Sequence, residues 1–340
     1  MALKILRVHT YALLLLILSI SSLAAQTQQE RAEALFQEGY TLYQQRYGAV
    51  AITPLEKAAK LGHAEAAYWV GEILRKRYGF ISNEIEQFYR QAADGGEVYA
   101  MLRFGQKGKF CGTLGNCNYD RHQWLDRAKE TALPRAKAGG TQSMMAVSLA
   151  YGLDGDLSEE FRWVKEAAEH GHAFAQYWLA VGLLDNQKMG FYWTEASRRN
   201  DILKWLRASA HGGFPKAMLK LAKELRKDNQ LEEAQYWVEQ MAKTDYYDAI
   251  LEGASQIMMG PDVAEIYGPE MSYHFEKARP IEGAALLLAL HREKGSQAPL
   301  DIIDAYSEFL TPEMLEKAEA LSKELLVDTP IIYYLPKFGL

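Results

Sequence analysis

Along most of this chain, apolar residues recur at helical spacing, and the runs break at regular intervals on small residues and a glycine. "AAKLGHAEAAYWVGEIL" begins at Ala58, "AADGGEVYAMLRFGQKG" at Ala92 and "AKAGGTQSMMAVSLAYG" at Ala136. "AAEHGHAFAQYWLAVGL" begins at Ala167 and "ASAHGGFPKAMLKLAKEL" at Ala208. Aligned this way, Gly62, Gly96, Gly140, Gly171 and Gly213 stand 34, 44, 31 and 42 residues apart. Self-similarity at this period predicts a solenoid of stacked supersecondary units.

Each unit has a physical logic. An amphipathic helix carries a large apolar anchor (Leu55, Phe88, Trp124, Trp163 or Trp205) and ends in alanines that admit a close neighbour. The glycine supplies the left-handed conformation that stops the helix. A second small residue follows four positions on, as Ala66, Ala100, Ala175 and Ala217, with Met144 as the exception in the third repeat. Apolar positions such as Val70 and Leu74 then continue at helical spacing. One repeat is therefore one αα-hairpin, which buries its apolar face only by stacking on its neighbours.

The residues Trp163 to Ala180 and Leu55 to Gly71 follow the pattern W-x-x-x-A-A-x-x-G-x-x-x-A-x-x-x-L-G. This resembles the Sel1-like repeat, a relative of the tetratricopeptide repeat. The resemblance runs from about residue 30 to 295, and after Ala242 it keeps Trp237 but loses the glycine. It implies an all-α, right-handed superhelical solenoid of stacked αα-hairpins, and binding rather than catalysis. The expected organisation is a signal peptide at 1–25, the repeats at 26–295, and capping helices with a tail at 296–340. Ile281 to Leu290 reads as a buried helix too short to span a bilayer, and Thr311-Pro312-Glu313 as a helix start. The final "DTPIIYYLPKFGL" is apolar, with prolines that forbid a helix, and is expected to cover the last repeat, with a docking peptide as the alternative.

The first residues change the picture of where the chain works. Lys4 and Arg7 precede the apolar "YALLLLILSI", and Ser22 and Ala24 occupy the small-residue positions of a cleavage site. Export to the periplasm is expected, with an uncleaved anchor as the alternative; no cysteine stands at the cleavage point to carry a lipid. Removing those two cations takes the formal charge of −6 to −8, which disfavours nucleic acid or anionic lipid as direct partners. In an oxidising compartment, Cys111 and Cys117 in "CGTLGNC" read as a disulfide closing a small loop; a zinc half-site would have only His122 nearby.

Candidate chemistry is sparse. The sequence contains no G-x-S-x-G, no G-x-x-x-x-G-K-[ST], no H-E-x-x-H and no strand-borne G-x-G-x-x-G. The paired carboxylates Glu159–Glu160 and Glu232–Glu233 are helix neighbours that point about 100° apart. His170 and His172 flank a turn whose equivalents are Leu61 and His63, Gly95 and Glu97, and Gly139 and Thr141; such freedom predicts turn residues, with no metal or cofactor. Tyr68 and Tyr177 fall beside the core and are expected to be half buried. Trp69, Arg103, Val147, Trp178 and Lys220 share one column whose chemical variety predicts a surface, and Trp and Arg are interface anchors; the alternative is that both tryptophans pack between repeats. The long repeat steps insert "GKFCGTLGNCNYDRHQW" and "DNQKMGFYWTEASRRND", so Phe191, Tyr192 and Trp193 are further candidate partner contacts, or else rings tucked into the groove between repeats.

Together these features predict an exported solenoid that holds another protein. They resemble the periplasmic immunity proteins that neutralise phospholipase effectors of type VI secretion, which implies a toxin or effector enzyme as partner. The alternative is a periplasmic scaffold for envelope biogenesis, in polysaccharide export or cell-wall enzyme assembly.

Overall fold

The computed structural model describes residues 26–107, 120–185 and 192–338. Residues 1–25, the pair Cys111 and Cys117, and Phe191 lie outside the described residues, and so do the expectations placed on them. The described residues form helices joined by short turns, with one isolated bridge between Tyr246 and Ile332.

The chain divides into two compact units, residues 1–131 with 337–340, and residues 132–336. In unit 1, α1 (residues 26–44) is followed by α2 (Gly48–Lys60), α3 (Ala64–Tyr78), α4 (Asn83–Asp94) and α5 (Val98–Gly105). The helix α6 (Arg121–Lys137) begins in unit 1 and ends in unit 2. Unit 2 continues with α7 (Thr141–Asp154), α8 (Leu157–Glu169), α9 (Ala173–Leu184), α10 (Glu195–His211) and α11 (Pro215–Lys227). It is completed by α12 (Leu231–Met241), α13 (Tyr247–Met259), α14 (Val263–Tyr267), α15 (Pro280–Lys294), α16 (Ala298–Ala305) and α17 (Pro312–Ser322). From α2 to α5 and from α7 to α13, each helix packs on its sequence neighbours, which is the stacked αα-hairpin arrangement the repeats demand.

The repeat turns share one backbone solution. After α2, the amide of Gly62 donates to Ala59 O and that of His63 to Ala58 O; after α8, Gly171 and His172 repeat the pair on Ala168 and Ala167. These two bonds define the Schellman stop, which satisfies carbonyls that a helix end leaves orphaned. It needs a residue of positive φ at its centre, and Gly62 (+96°), Gly96 (+88°), Gly171 (+87°) and Gly213 (+81°) supply it.

The third repeat corrects the alignment. Gly139, at φ +92°, is the left-handed residue, and Gly140, at φ −72°, is the N-cap of α7. The donors also move one place back, with Gly139 bonding Ala136 O and Gly140 bonding Arg135 O. Counted from Gly139, the small residue four positions on is Ser143, so Met144 is no exception to the pattern. The position sharing a column with Trp69 becomes Ala146 rather than Val147.

The interhelical alanines are fully buried where the pattern places them, as at Ala58, Ala66, Ala100, Ala175 and Ala217. Gly105 shows how close the approach is: a methyl there would lie 2.2 Å from Leu125 Cδ2. α15 is the buried apolar helix expected over 281–290, with Ala284, Ala285, Leu287 and Leu290 in the core. α17 starts on Thr311, whose hydroxyl accepts from the Met314 amide, with Pro312 in its first turn.

Candidate functional site

In unit 1 the sequence of α3 contains one acid within an apolar run, "AAYWVGEIL", and the fold buries that acid. Glu72 is 1% exposed and so is Arg103 of α5. Arg103 donates through Nε to Glu72 Oε1 at 2.6 Å and through an Nη to Oε2 at 2.7 Å. Arg75 adds a bond at 2.9 Å, and the Tyr89 hydroxyl donates at 2.7 Å. Burial opposes ionisation of Glu72, but Arg103 and Arg75 outweigh it, and the carboxyl sits below its ordinary range. Burial and then the Glu72 charge push the Tyr89 hydroxyl well above its usual value, so it stays a donor.

Because Glu72 occupies the edge of the Arg103 guanidinium, a flat face remains, and the Phe338 ring lies on it at 4.1 Å. Phe338 also meets the Tyr99 ring at 6.2 Å. The preceding residue is held more fully. Lys337 Nζ lies 2.6 Å from Glu65 Oε1 and 3.2 Å from Glu97 Oε2, with the Tyr99 ring centre at 4.7 Å and that of Tyr68 at 6.0 Å. The Tyr68 hydroxyl donates to the Lys337 carbonyl. Glu97 reaches this place as the N-cap of α5, its Oε1 accepting from the Tyr99 amide at 2.9 Å. Burial raises the Glu97 carboxyl above its ordinary range, against the pull of Lys337.

The expected exposed column is corrected at its first three members, since Val147 and its realigned equivalent Ala146 are buried along with Trp69 and Arg103. Trp69 is 0% exposed: Tyr40 and Tyr43 of α1 lie 5.2 and 4.9 Å from its ring, so α1 covers the surface the repeat pattern leaves open. Arg103 is interior for a different reason, since Glu72 neutralises it in place. Tyr68, expected to be half buried, is fully buried, whereas Tyr177 is half buried as its position predicts. Trp178 is half buried, and Lys220 is half buried beside Glu224 at 3.9 Å. In the second insertion, the Tyr192 hydroxyl donates to Asp201 at 2.9 Å, and Trp193 is 88% exposed.

The turn histidines have a specific task that residue type alone hides. His63 Nδ1 accepts from the Ala66 amide and His172 Nδ1 from the Ala175 amide, both at 3.1 Å, so each caps a helix. Among the described residues, no three His, Cys, Asp or Glu side chains cluster as metal ligands. No described helix is long and apolar enough to cross a membrane.

The tail packs on the last helices of the repeat region and also continues past them. In unit 2, Ile332 exchanges backbone bonds with Asp245 and Tyr247, and Ile331 is buried with Ile250 and Leu290. Tyr333 stacks on Tyr247, while Tyr334 meets Phe214 and Tyr246 edge-on and its carbonyl accepts from Lys216 at 2.9 Å. Lys337 and Phe338 belong to unit 1. Sequence reasoning missed Glu65, Glu72, Glu97, Tyr99, Lys337 and Phe338. The signals present were the acid within the apolar run of α3 and a Lys-Phe pair in a tail whose other charged side chain is Asp328.

No protein-family model and no curated protein matches this sequence. Among solved structures, the chain is similar to a protective antigen present in uropathogenic Escherichia coli strains that displays an SLR fold. The identity is 17%, over 89% of this chain and 62% of the antigen, with a TM-score of 0.46. This chain thus spans under two thirds of that antigen's length. It is also similar to a Sel1 repeat protein from Oxalobacter formigenes, at 24% identity over 62% of this chain and 85% of that one, with a TM-score of 0.36.

Proposed function

We propose that this chain is an exported, non-catalytic solenoid that holds a protein partner, in unit 1 on the second helices of its hairpins, α3 and α5. One observation carries the reading. Side chains of α3 and α5 in unit 1 hold a non-helical polypeptide segment, Lys337 and Phe338, through an ion cluster and ring contacts. A face that holds one such segment has the chemistry to hold another. The half-buried Trp178 and the exposed Trp193 add aromatic surface of the kind that anchors interfaces.

The narrower reading is a periplasmic immunity protein that neutralises a phospholipase effector of type VI secretion. Its support is the resemblance of the repeats, the export signal read in the sequence and the acidic balance of the chain. The test is a pull-down from native periplasmic extract on purified mature protein tagged at its N-terminus, read by mass spectrometry. One stoichiometric toxin-like enzyme supports the immunity role. A set of envelope-assembly proteins replaces that role with a scaffold, and recovery of no stoichiometric protein overturns the binding function itself.

A further inference from the structure

The contacts around Lys337 and Phe338 form a site built by residues far away in sequence. Glu65 lies on α3 and Glu97 at the start of α5, and the two carboxylates converge on one ammonium. Both acids are anchored independently of the tail. Glu65 also accepts from Trp69 Nε1 at 3.3 Å, and Glu97 caps α5. The Tyr68 and Tyr99 rings wall the ammonium, which favours a cation through the negative faces of the rings. Next to it, the Arg103 guanidinium is held flat by Glu72 and offers a platform for an aromatic ring. The site therefore selects two adjacent side chains, a primary ammonium followed by an aromatic ring.

We propose that unit 1 carries a recognition site for a non-helical protein segment with lysine followed by an aromatic residue, and that Lys337–Phe338 occupies it as a competing ligand in cis. This rests on the protein-binding reading and names the chemistry of the segment bound. A partner enters by displacing the tail, so its apparent affinity is reduced by the fraction of molecules in which the tail is docked. A tethered competitor of this kind rejects weak segments and admits those with further contacts.

The experiment uses the full mature chain and the synthetic peptide acetyl-YYLPKF-amide, which repeats residues 333–338. Binding is measured by calorimetry to the native chain, to K337S/F338S, and to K337S/F338S carrying E65Q/E97Q. The expected result is about tenfold tighter binding to K337S/F338S than to the native chain, from removal of the competitor. Binding should fall at least about tenfold when both carboxylates are neutralised, and the peptide with glutamate in place of its lysine should not bind. Equal binding to the native chain and K337S/F338S, or binding indifferent to E65Q/E97Q, overturns the proposal. Circular dichroism melts check each variant. If K337S/F338S melts low, the near-isosteric singles K337Q and E97Q are read instead, K337Q for tightened peptide binding and E97Q for loss. The same chains are then used in the extract pull-down. A stoichiometric partner retained undiminished by E65Q/E97Q leaves protein binding standing and removes this site from it.

Discussion

Glu72 holds both edge nitrogens of Arg103, at 2.6 and 2.7 Å, in a place where each side chain is 1% exposed. Removing Glu72 strands the Arg103 charge in the interior, at a cost of roughly 3–5 kcal/mol, and removing Arg103 leaves the buried Glu72 with Arg75 as its remaining cation. Replacing both with apolar residues of similar volume avoids that penalty. R103M and E72M are each expected to lower the urea midpoint strongly, and R103M/E72M to recover much of the loss. A double variant as unstable as the sum of the singles would show that the pair is not the coupled unit described.

The same pair gives unit 1 an acid limb with a defined sign. The Glu72 carboxyl lies below its ordinary value of 4.5 in the folded chain, because burial is outweighed by Arg103 and Arg75. Its stabilisation is complete above about 4.5, the unfolded value, and is lost as pH falls through the lower folded value. Glu97, raised by burial beside Lys337 and Glu65, works in the opposite sense, its contribution falling as pH rises through the raised value. Denaturant midpoints against pH should therefore drop less steeply below 4.5 in E72Q than in the native chain, from a lower plateau. An unchanged slope would remove Glu72 from the acid limb.

The turn glycines make a sharper test, because the structure moves one of them. Gly171 and Gly139 hold φ of +87° and +92°, a region a β-branched residue resists at about 1–3 kcal/mol. G171V and G139V should each lower the melting temperature by several degrees. A G139V protein that melts like the native chain would restore Gly140 to the centre of that turn.

Trp69 and Trp178 occupy equivalent repeat positions with different surroundings. W69A empties a site enclosed by Tyr40, Tyr43 and Tyr68 and should cost about 3–5 kcal/mol. W178A, at a half-buried position, should cost clearly less. Chemical denaturation of the two single variants decides this, and equal losses would refute the role given to α1.

Much of the architecture is legible in the chain because it depends on local chemistry. Alanines before a glycine, the glycine itself and an apolar period of about 3.6 all act within one hairpin, and one hairpin repeated makes the stack. The register slip at Gly139–Gly140 marks the limit of that reasoning. Two adjacent glycines are equivalent by residue type, and only the backbone bonds from Gly139 to Ala136 and from Gly140 to Arg135 separate them. The histidine caps were hidden for a related reason. Their sequence position marks a turn, while the bond that gives them work is a matter of rotamer.

The sequence by itself determined the helices, the hairpin unit and the small residues that let hairpins approach, since each follows from spacing and steric size. Tertiary structure decided which surface stays open. α1 covers Trp69, which in the repeat pattern stands on the same column as the half-exposed Lys220. It also brought Lys337 and Phe338 against Glu65, Glu97 and Arg103, across more than 230 residues of chain. Contacts at that separation leave no period in the sequence, because no local spacing relates the residues that make them.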